Sequence, residues 1–234
     1  IFSPSVPING TLSSSDATNI IITSDDLMPS LSFALSSETI DENSSTDVTL
    51  TATLSSTTSE DVVISFSSSG TGTEGTDYSN ISDITISAGN TTGTTSFTPT
   101  DDVIYEGDET AIIAIDTVSG GSATEDGDQS VTITITENES APTVTIATSA
   151  SSIDENSGSS LTLTATLSVA TTEDVNVILG ISGYAQEEVD FSSLSNITIS
   201  AGSLTGTSDF TPIDDDNYEA STPETVNVDS EIHA

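Results

Sequence analysis

The stretch DDVIYEGDE, residues 101–109, carries carboxylates at Asp101, Asp102, Glu106, Asp108 and Glu109. Carboxylates at this density can exchange protons as acid and base, cleave glycosides as a pair, or ligate a hard cation. Each role needs something to offset their mutual repulsion. The chain supplies no cationic partner: its 234 residues include 38 Asp and Glu, one His, and no Lys or Arg, for a formal net charge of −38.

That balance excludes several functions. A nucleic-acid binder displaces counterions with a cationic surface, and none is available here. Attraction to an anionic membrane face fails for the same reason, and no apolar run is long enough to span a bilayer. A phosphate site would depend on backbone amides alone. Catalysis is thinly supplied as well. There is no Cys nucleophile and no Lys for a Schiff base, and the single His, His233, has no G-x-S-x-G elbow to serve. It reads as a surface residue. Four Tyr, six Phe and no Trp leave few platforms for a sugar. No enzymatic activity is expected. The absence of Cys also rules out a disulfide scaffold and a thiolate zinc site.

Strong acidity can signal disorder, but the residue alternation argues against it. In VTLTATLS (48–55), Val48, Leu50, Ala52 and Leu54 fall on one face, with Thr or Ser on the other. SVTITITE (130–137) repeats the device with Val131, Ile133 and Ile135. DVVISFSS, DITISAG, TSFTPT and TAIIAIDTV are further short β-rich runs bounded by Gly, Ser, Asn or Asp. No segment shows helical periodicity. The expected class is all-β: tandem antiparallel Greek-key β-sandwiches, immunoglobulin-like, of about seven strands each.

The chain also repeats itself. IDENS occurs at 40–44 and 153–157, and NITISAGSLTGTSDFTPIDD (196–215) matches DITISAGNTTGTTSFTPTDD (83–102). Glu155 follows Glu42 by 113 positions, as Asp190 follows Asp77 and Asp215 follows Asp102. That period suits a whole domain and is too long for a solenoid repeat. At the same offset, residues 20–35 align with 133–148, and ETVNVDSEI (224–232) aligns with ETAIIAIDT (109–117) across a two-residue insertion. The expected division is a last strand of a preceding repeat (1–26), a complete domain (27–139), and a second domain lacking its last strand (140–234). The sequence opens on Ile without a signal peptide and is expected to be a processed product or a fragment.

These residues resemble the Calx-β family. The features that carry the likeness are DEN at 41–43, GTEGTDY at 72–78, SAGN at 87–90, DDVIYEGDE at 101–109 and TITITENE at 132–139. The resemblance implies a seven-stranded Greek-key sandwich binding Ca²⁺ at one end, near the junction with the next domain. Carried over, it implies ligands at Glu42, Asp77, Asp102, Glu106 and Glu109, the Ile104 carbonyl, and Glu137 and Glu139, where the family has Asp. In the second repeat it implies Glu155, Asp190, Asp215, the Asn217 carbonyl, Glu219 and Glu224. Asp25 and Asp26 take the closing acidic positions of the preceding repeat. Tyr105 and Tyr218 read as packing residues.

An argument independent of the family leads to the same ion. Carboxylates gathered at one end of a sandwich, with no Lys or Arg in the chain, must protonate, stay solvated, or bind a divalent cation. Ca²⁺ takes six to eight oxygens of this kind, and the spacing is not that of an EF-hand. The functional expectation is a structural or adhesive segment of a secreted or cell-surface repeat protein, a rod or filament stiffened by Ca²⁺ at its joints. Its partners would be neighbouring repeats of the same or an identical chain, with a cell-surface or matrix ligand in view; neither nucleic acid nor membrane insertion is expected. A regulatory calcium sensor is the alternative function. Two accounts of residues 17–24 stay open: an excerpt of a longer repetitive chain, or a donor strand completing the 140–234 domain of a neighbouring copy.

Overall fold

The computed structural model describes residue 21, residues 25–216 and residues 226–233. The other residues of the 17–24 strand, as well as Asn217, Tyr218, Glu219 and Glu224, lie outside the described residues.

The first unit is built from ten strands: β1 (Ser30–Leu35), β2 (Thr39–Asp41), β3 (Val48–Leu54), β4 (Val62–Gly70), β5 (Ile84–Ile86), β6 (Thr92–Phe97), β7 (Ile104–Tyr105), β8 (Glu109–Ser119), β9 (Thr124–Glu125) and β10 (Ser130–Thr136). One sheet has the order β6-β3-β1-β9, the other β2-β10-β8-β4-β5. Most pairings are antiparallel, while β1 with β9 and β10 with β2 are parallel. The second unit contains β11 (Val144–Thr148), a 3₁₀ turn at Glu155–Ser157, β12 (Leu161–Leu167), β13 (Ala170–Thr171), β14 (Val175–Gly183), β15 (Ile197–Ile199), β16 (Thr205–Phe210) and β17 (Val226–His233). Its sheets run β11-β12-β16 and β15-β14-β17. The fold is all-β, two sandwiches in tandem, and no helix among the described residues is long and apolar enough to cross a membrane.

The period-two pattern places the core. In β3, Val48, Leu50, Ala52 and Leu54 are all buried, and in β10 Ile133 and Ile135 join them. Each fully buried Val, Leu or Ile contributes roughly 1.5–3 kcal/mol, before the entropy of ordering is subtracted. The first unit holds two apolar clusters. One, around Leu31, Val62, Ile64, Ile84 and Ile86, fills one half of the sandwich. The other, around Ile40, Val48, Tyr78, Phe97, Ile113, Ile133 and Ile135, fills the half beneath the acidic loops. Tyr78 and Phe97 stack there with ring centroids 4.7 Å apart. Phe191 and Phe210, 113 positions later, stack at 4.9 Å.

Two features aim the chain at that end. Gly70 closes β4 at φ +125°, and a Cβ on it would lie 2.1 Å from the Thr110 carbonyl oxygen, so only glycine fits. The GTEGTDY turn then folds back on itself. Asp77 Oδ2 accepts the Thr73 amide at 2.6 Å, while the Asp77 carbonyl accepts the Thr100 amide at 2.9 Å. The turn is thereby tied to the segment that opens the acidic loop. The units meet beside this loop: β7 pairs in parallel with β13, Ile104 opposite Ala170 and Tyr105 opposite Thr171.

Candidate metal centre

Four segments converge at the junction end of the first unit. Glu42 follows β2, Asp77 sits in the turn after β4, Glu106 and Glu109 flank the start of β8, and Glu137 and Glu139 follow β10. Strand order brings them together, because β2, β10, β8 and β4 are neighbours in one sheet. The carboxylates form two triads. Glu42, Glu137 and Glu139 can each offer an oxygen within 4.8 Å of the others, and so can Asp77, Glu106 and Glu109. Oxygens sharing one Ca²⁺ at 2.3–2.6 Å stand at most about 5 Å apart, so both triads fit one ion each. The triads adjoin: Glu42, Glu137, Asp77, Glu106 and Glu109 line one cavity of about 10 Å³, room for roughly one water-sized body.

The electrostatics follow from packing acids without bases. Burial, then the Asp77 and Glu109 charges, pushes Glu106 up to about 7. Burial, then Asp77, does the same to Glu109, also to about 7. Burial also dominates at Glu42; Glu137, Glu139 and Asp102 add to it, outweighing the Asp102 amide hydrogen bond, and the result is again about 7. Glu137 goes the other way. Burial would raise it, but amide hydrogen bonds from Glu106, Glu139 and Gly107 outweigh that and hold it at about 2. Its Oε2 accepts Glu106 and Gly107 at 2.6 and 2.9 Å, and its Oε1 accepts Asn138 and Glu139 at 2.9 Å each. Gly107 adopts φ +80° in this turn, a conformation that glycine enters at little cost. Glu139 is raised, first through its side-chain hydrogen bond with Glu137. Its Oε2 is buried without a hydrogen-bond partner, and such an orphaned oxygen fits a cation ligand better than a solvated surface charge.

The other expected residues have separate places. Asp102 donates its backbone N–H to Glu42 Oε1 at 3.2 Å, and its own Oδ1 accepts the Ile104 amide at 2.7 Å. It is exposed and belongs to neither triad. Ile104 lies in β7, between Asp102 and Glu106. Asp25 and Asp26 are exposed and outside both triads. In the second unit, Asp215 donates its N–H to Glu155 Oε1 at 2.9 Å, and Asp190 Oδ2 accepts the Gln186 amide at 2.6 Å. These repeat the Asp102–Glu42 and Thr73–Asp77 contacts. No carboxylate triad forms in that unit among the described residues.

Two acids of DDVIYEGDE that are not among the expected ligands organise the loop. Asp108 Oδ1 accepts the Glu137 amide at 3.0 Å, and Asp101 Oδ1 accepts the Asn138 side-chain amide at 2.6 Å. Their presence inside DDVIYEGDE was the available signal; their targets depend on how the loop meets the end of β10. Elsewhere, the wide groove lined by Ala34–Glu38 and Ser130–Thr132 offers a single titratable side chain, Glu38.

No protein-family model matches the sequence, and no curated protein sequence does. Among solved structures, the chain is similar to an apo-form Calx CBD1 domain, at 17% identity and TM-score 0.41, over 48% of this chain and 100% of that one. It is also similar to CBD12 from CALX1.2, at 17% identity and TM-score 0.39, over 84% of this chain and 79% of that one. A third likeness is to the calcium binding domain CBD12 of CALX1.1, at 17% identity and TM-score 0.37, over 75% and 72%. The assignment as an all-β sandwich stands on the strand order itself.

Proposed function

We propose that the acidic cleft is a Ca²⁺ site, with one ion at each triad, and that the chain is a structural segment of a secreted or cell-surface repeat protein whose joints Ca²⁺ stiffens. One observation carries the reading. Five carboxylates from four segments, drawn from both triads, line a single small cavity in a chain without Lys or Arg, and a sixth, Glu139, adds a buried oxygen without a partner. A hard divalent cation is the ligand such an oxygen set suits. Glu42, Glu137 and Glu139 would hold one ion, and Asp77, Glu106 and Glu109 the other. Amide-bound Glu137 would position the loop as well as ligate. When bound, the ions supply charge neutralisation.

The placement supports a joint. Glu106 and Glu109 lie just past β7, which pairs with β13 of the second unit, and Glu137 and Glu139 open the connection into β11. Ordering these loops would fix both covalent and hydrogen-bonded links between units. Extracellular modules bind Ca²⁺ at about 10⁻⁴–10⁻³ M, whereas sensors bind at about 10⁻⁷–10⁻⁵ M. A titration therefore separates the structural reading from the regulatory alternative. The decisive measurement is thermal unfolding with Ca²⁺ and with chelator at constant ionic strength. At about 100-fold excess over Kd, each site should add about 3 kcal/mol. Equal melting temperatures would defeat the proposal and leave a solvated acidic loop.

A further inference from the structure

We infer that the first unit bears tension along the chain, and that the parallel pairing of β2 with β10 is the clamp that resists it. The chain enters this unit through β1 and β2 and leaves it through β9 and β10. Among the described residues, entering and leaving strands pair directly in two places, and both pairings are parallel. Ser30 and Leu31 of β1 face Thr124 and Glu125 of β9, while Thr39, Ile40 and Asp41 of β2 face Thr134, Ile135 and Thr136 of β10. The other strand pairings within the unit are antiparallel. Parallel order decides how force acts. Tension pulls β2 back toward its N-terminal end and β10 forward toward its C-terminal end. In parallel neighbours those pulls oppose each other along the strand axis, so the strands must slide and every cross-bond is strained at once. Entering and leaving strands that ran antiparallel would instead be peeled apart one bond at a time.

Several bonds share that strain. Thr134 donates its amide to the Glu38 carbonyl at 2.9 Å, and Glu42 donates its amide to the Thr136 carbonyl at 3.0 Å. The Thr136 hydroxyl donates to Asp41 Oδ1 at 2.7 Å. Ile40 and Ile135, which face each other across the pair, are both buried, so sliding also drags apolar side chains through a packed core. The entering strand is fastened a second time through Gln129, the residue before β10. Its side chain donates to the Leu31 carbonyl and accepts the Phe33 amide at 2.8 Å.

The clamp stands without a metal; a consequence for its strength rests on the calcium reading. Glu42 is the residue after β2 and Glu137 the residue after β10. With Glu139 they make up one carboxylate triad. A divalent cation there would staple the two strained strands together at the end where β10 leaves the unit, sharing the force with the hydrogen bonds.

The test is optical-trap unfolding of the otherwise Cys-free 1–234 chain, with handles on pairs of exposed positions changed to cysteine. L27C with S140C pulls the first unit along the path of the chain. S37C with S130C pulls on the N-terminal ends of β2 and β10, which lie at the same pole, and so peels the same pairing. In chelator, the unit pulled from 27 and 140 should survive at least about tenfold longer at equal force than the unit pulled from 37 and 130, because forced unfolding reads the unfolding rate directly. Equal lifetimes, or a longer one for 37 and 130, overturn the clamp. Thr136→Val keeps a good strand former but removes the bond to Asp41, and should shorten the lifetime under the 27–140 pull severalfold. An unchanged lifetime places the strain elsewhere and likewise overturns it. Ca²⁺ at matched ionic strength should lengthen the 27–140 lifetime at least about tenfold further, and Glu42→Gln should abolish the gain. Melting of the parent chain in Ca²⁺ and in chelator reads binding separately. A chain that melts higher in Ca²⁺ yet yields to force as fast as before overturns the staple. One that melts alike in both defeats the calcium reading, and the clamp is then decided by the two pulls in chelator.

Discussion

At the scale of residues, the acids of the cleft divide by what their oxygens touch. Glu106 and Glu109 face other carboxylates, whereas both oxygens of Glu137 accept backbone amides besides standing in the triad with Glu42 and Glu139. Removing one charge should therefore have opposite effects. Glu109→Gln should raise the melting temperature of the metal-free protein by relieving repulsion, while weakening Ca²⁺ binding at least tenfold. Glu137→Gln should lower it by the equivalent of about 1–3 kcal/mol, because half-buried amides lose an acceptor. Calorimetry of both variants in chelator checks this, and a shift in the same direction for the two would refute the division of roles. The pH dependence follows from the same groups. Glu42, Glu106 and Glu109 have folded values of about 7 against an ordinary 4.5. Their contribution to stability is complete below 4.5 and is lost as pH rises through 7. Glu137, held at about 2, contributes above 4.5 and loses that contribution as pH falls through 2. Metal-free protein should therefore melt lower at pH 7.5 than at pH 5, and on the proposed calcium reading saturating Ca²⁺ should reverse the order. A metal-free melting temperature that climbs between those two values would contradict the packing described.

At the scale of elements, glycines mark where the backbone is under constraint. Gly70→Ala drives a Cβ to within 2.1 Å of the Thr110 carbonyl, so β4 must separate from β8 beside Glu109. Gly107→Ala meets nothing within 4 Å and incurs only left-handed strain, on the order of 1 kcal/mol. Urea unfolding should show a loss of several kcal/mol for the first and about 1 kcal/mol for the second; comparable losses would mean that the β4–β8 contact is not the constraint. The strands themselves were legible in the sequence, because alternation along VTLTATLS and SVTITITE reports directly which face is buried. Glu42, Asp77, Glu106, Glu109, Glu137 and Glu139, which the structure groups, were named through the resemblance to the Calx-β family and not from spacing or strand order. Their division into two triads was not legible. It depends on amide directions in the Glu106–Gly107 turn and on which acids the loop spends on Asn138 and Glu137, and no spacing rule encodes those. The β7–β13 pairing was equally hidden: two residues are too few to show a period.

At the scale of the whole molecule, the junction determines what the acidic site can do. Among the described residues, the units are joined by the connection from Glu139 to β11 and by the two-residue pairing of β7 with β13. A two-residue ladder is weak alone, and β7 sits in a loop whose acids repel one another when ionised. Without a divalent ion at neutral pH, that loop should loosen and release β13, leaving the units to pivot about the covalent connection. On the calcium reading, a bound ion would hold Glu106 and Glu109 against Asp77, fix β7 from its C-terminal side, and keep the ladder in place. Simple screening also relieves repulsion, so ionic strength has to be matched: exposed charges are screened within about 8–10 Å at 0.1–0.15 M salt. Small-angle scattering of the 1–234 chain should show a more extended, narrower distribution of shapes in Ca²⁺ than in chelator at equal ionic strength. Ala170→Pro, which removes a backbone donor from β13 and restricts its conformation, should broaden the distribution in Ca²⁺ while leaving Ca²⁺ affinity within about twofold. If that variant scatters like the parent in both conditions, the β7–β13 pairing is not what transmits the ion's effect. If the parent's distribution is the same with and without Ca²⁺, the ion stabilises a loop and does not stiffen a rod.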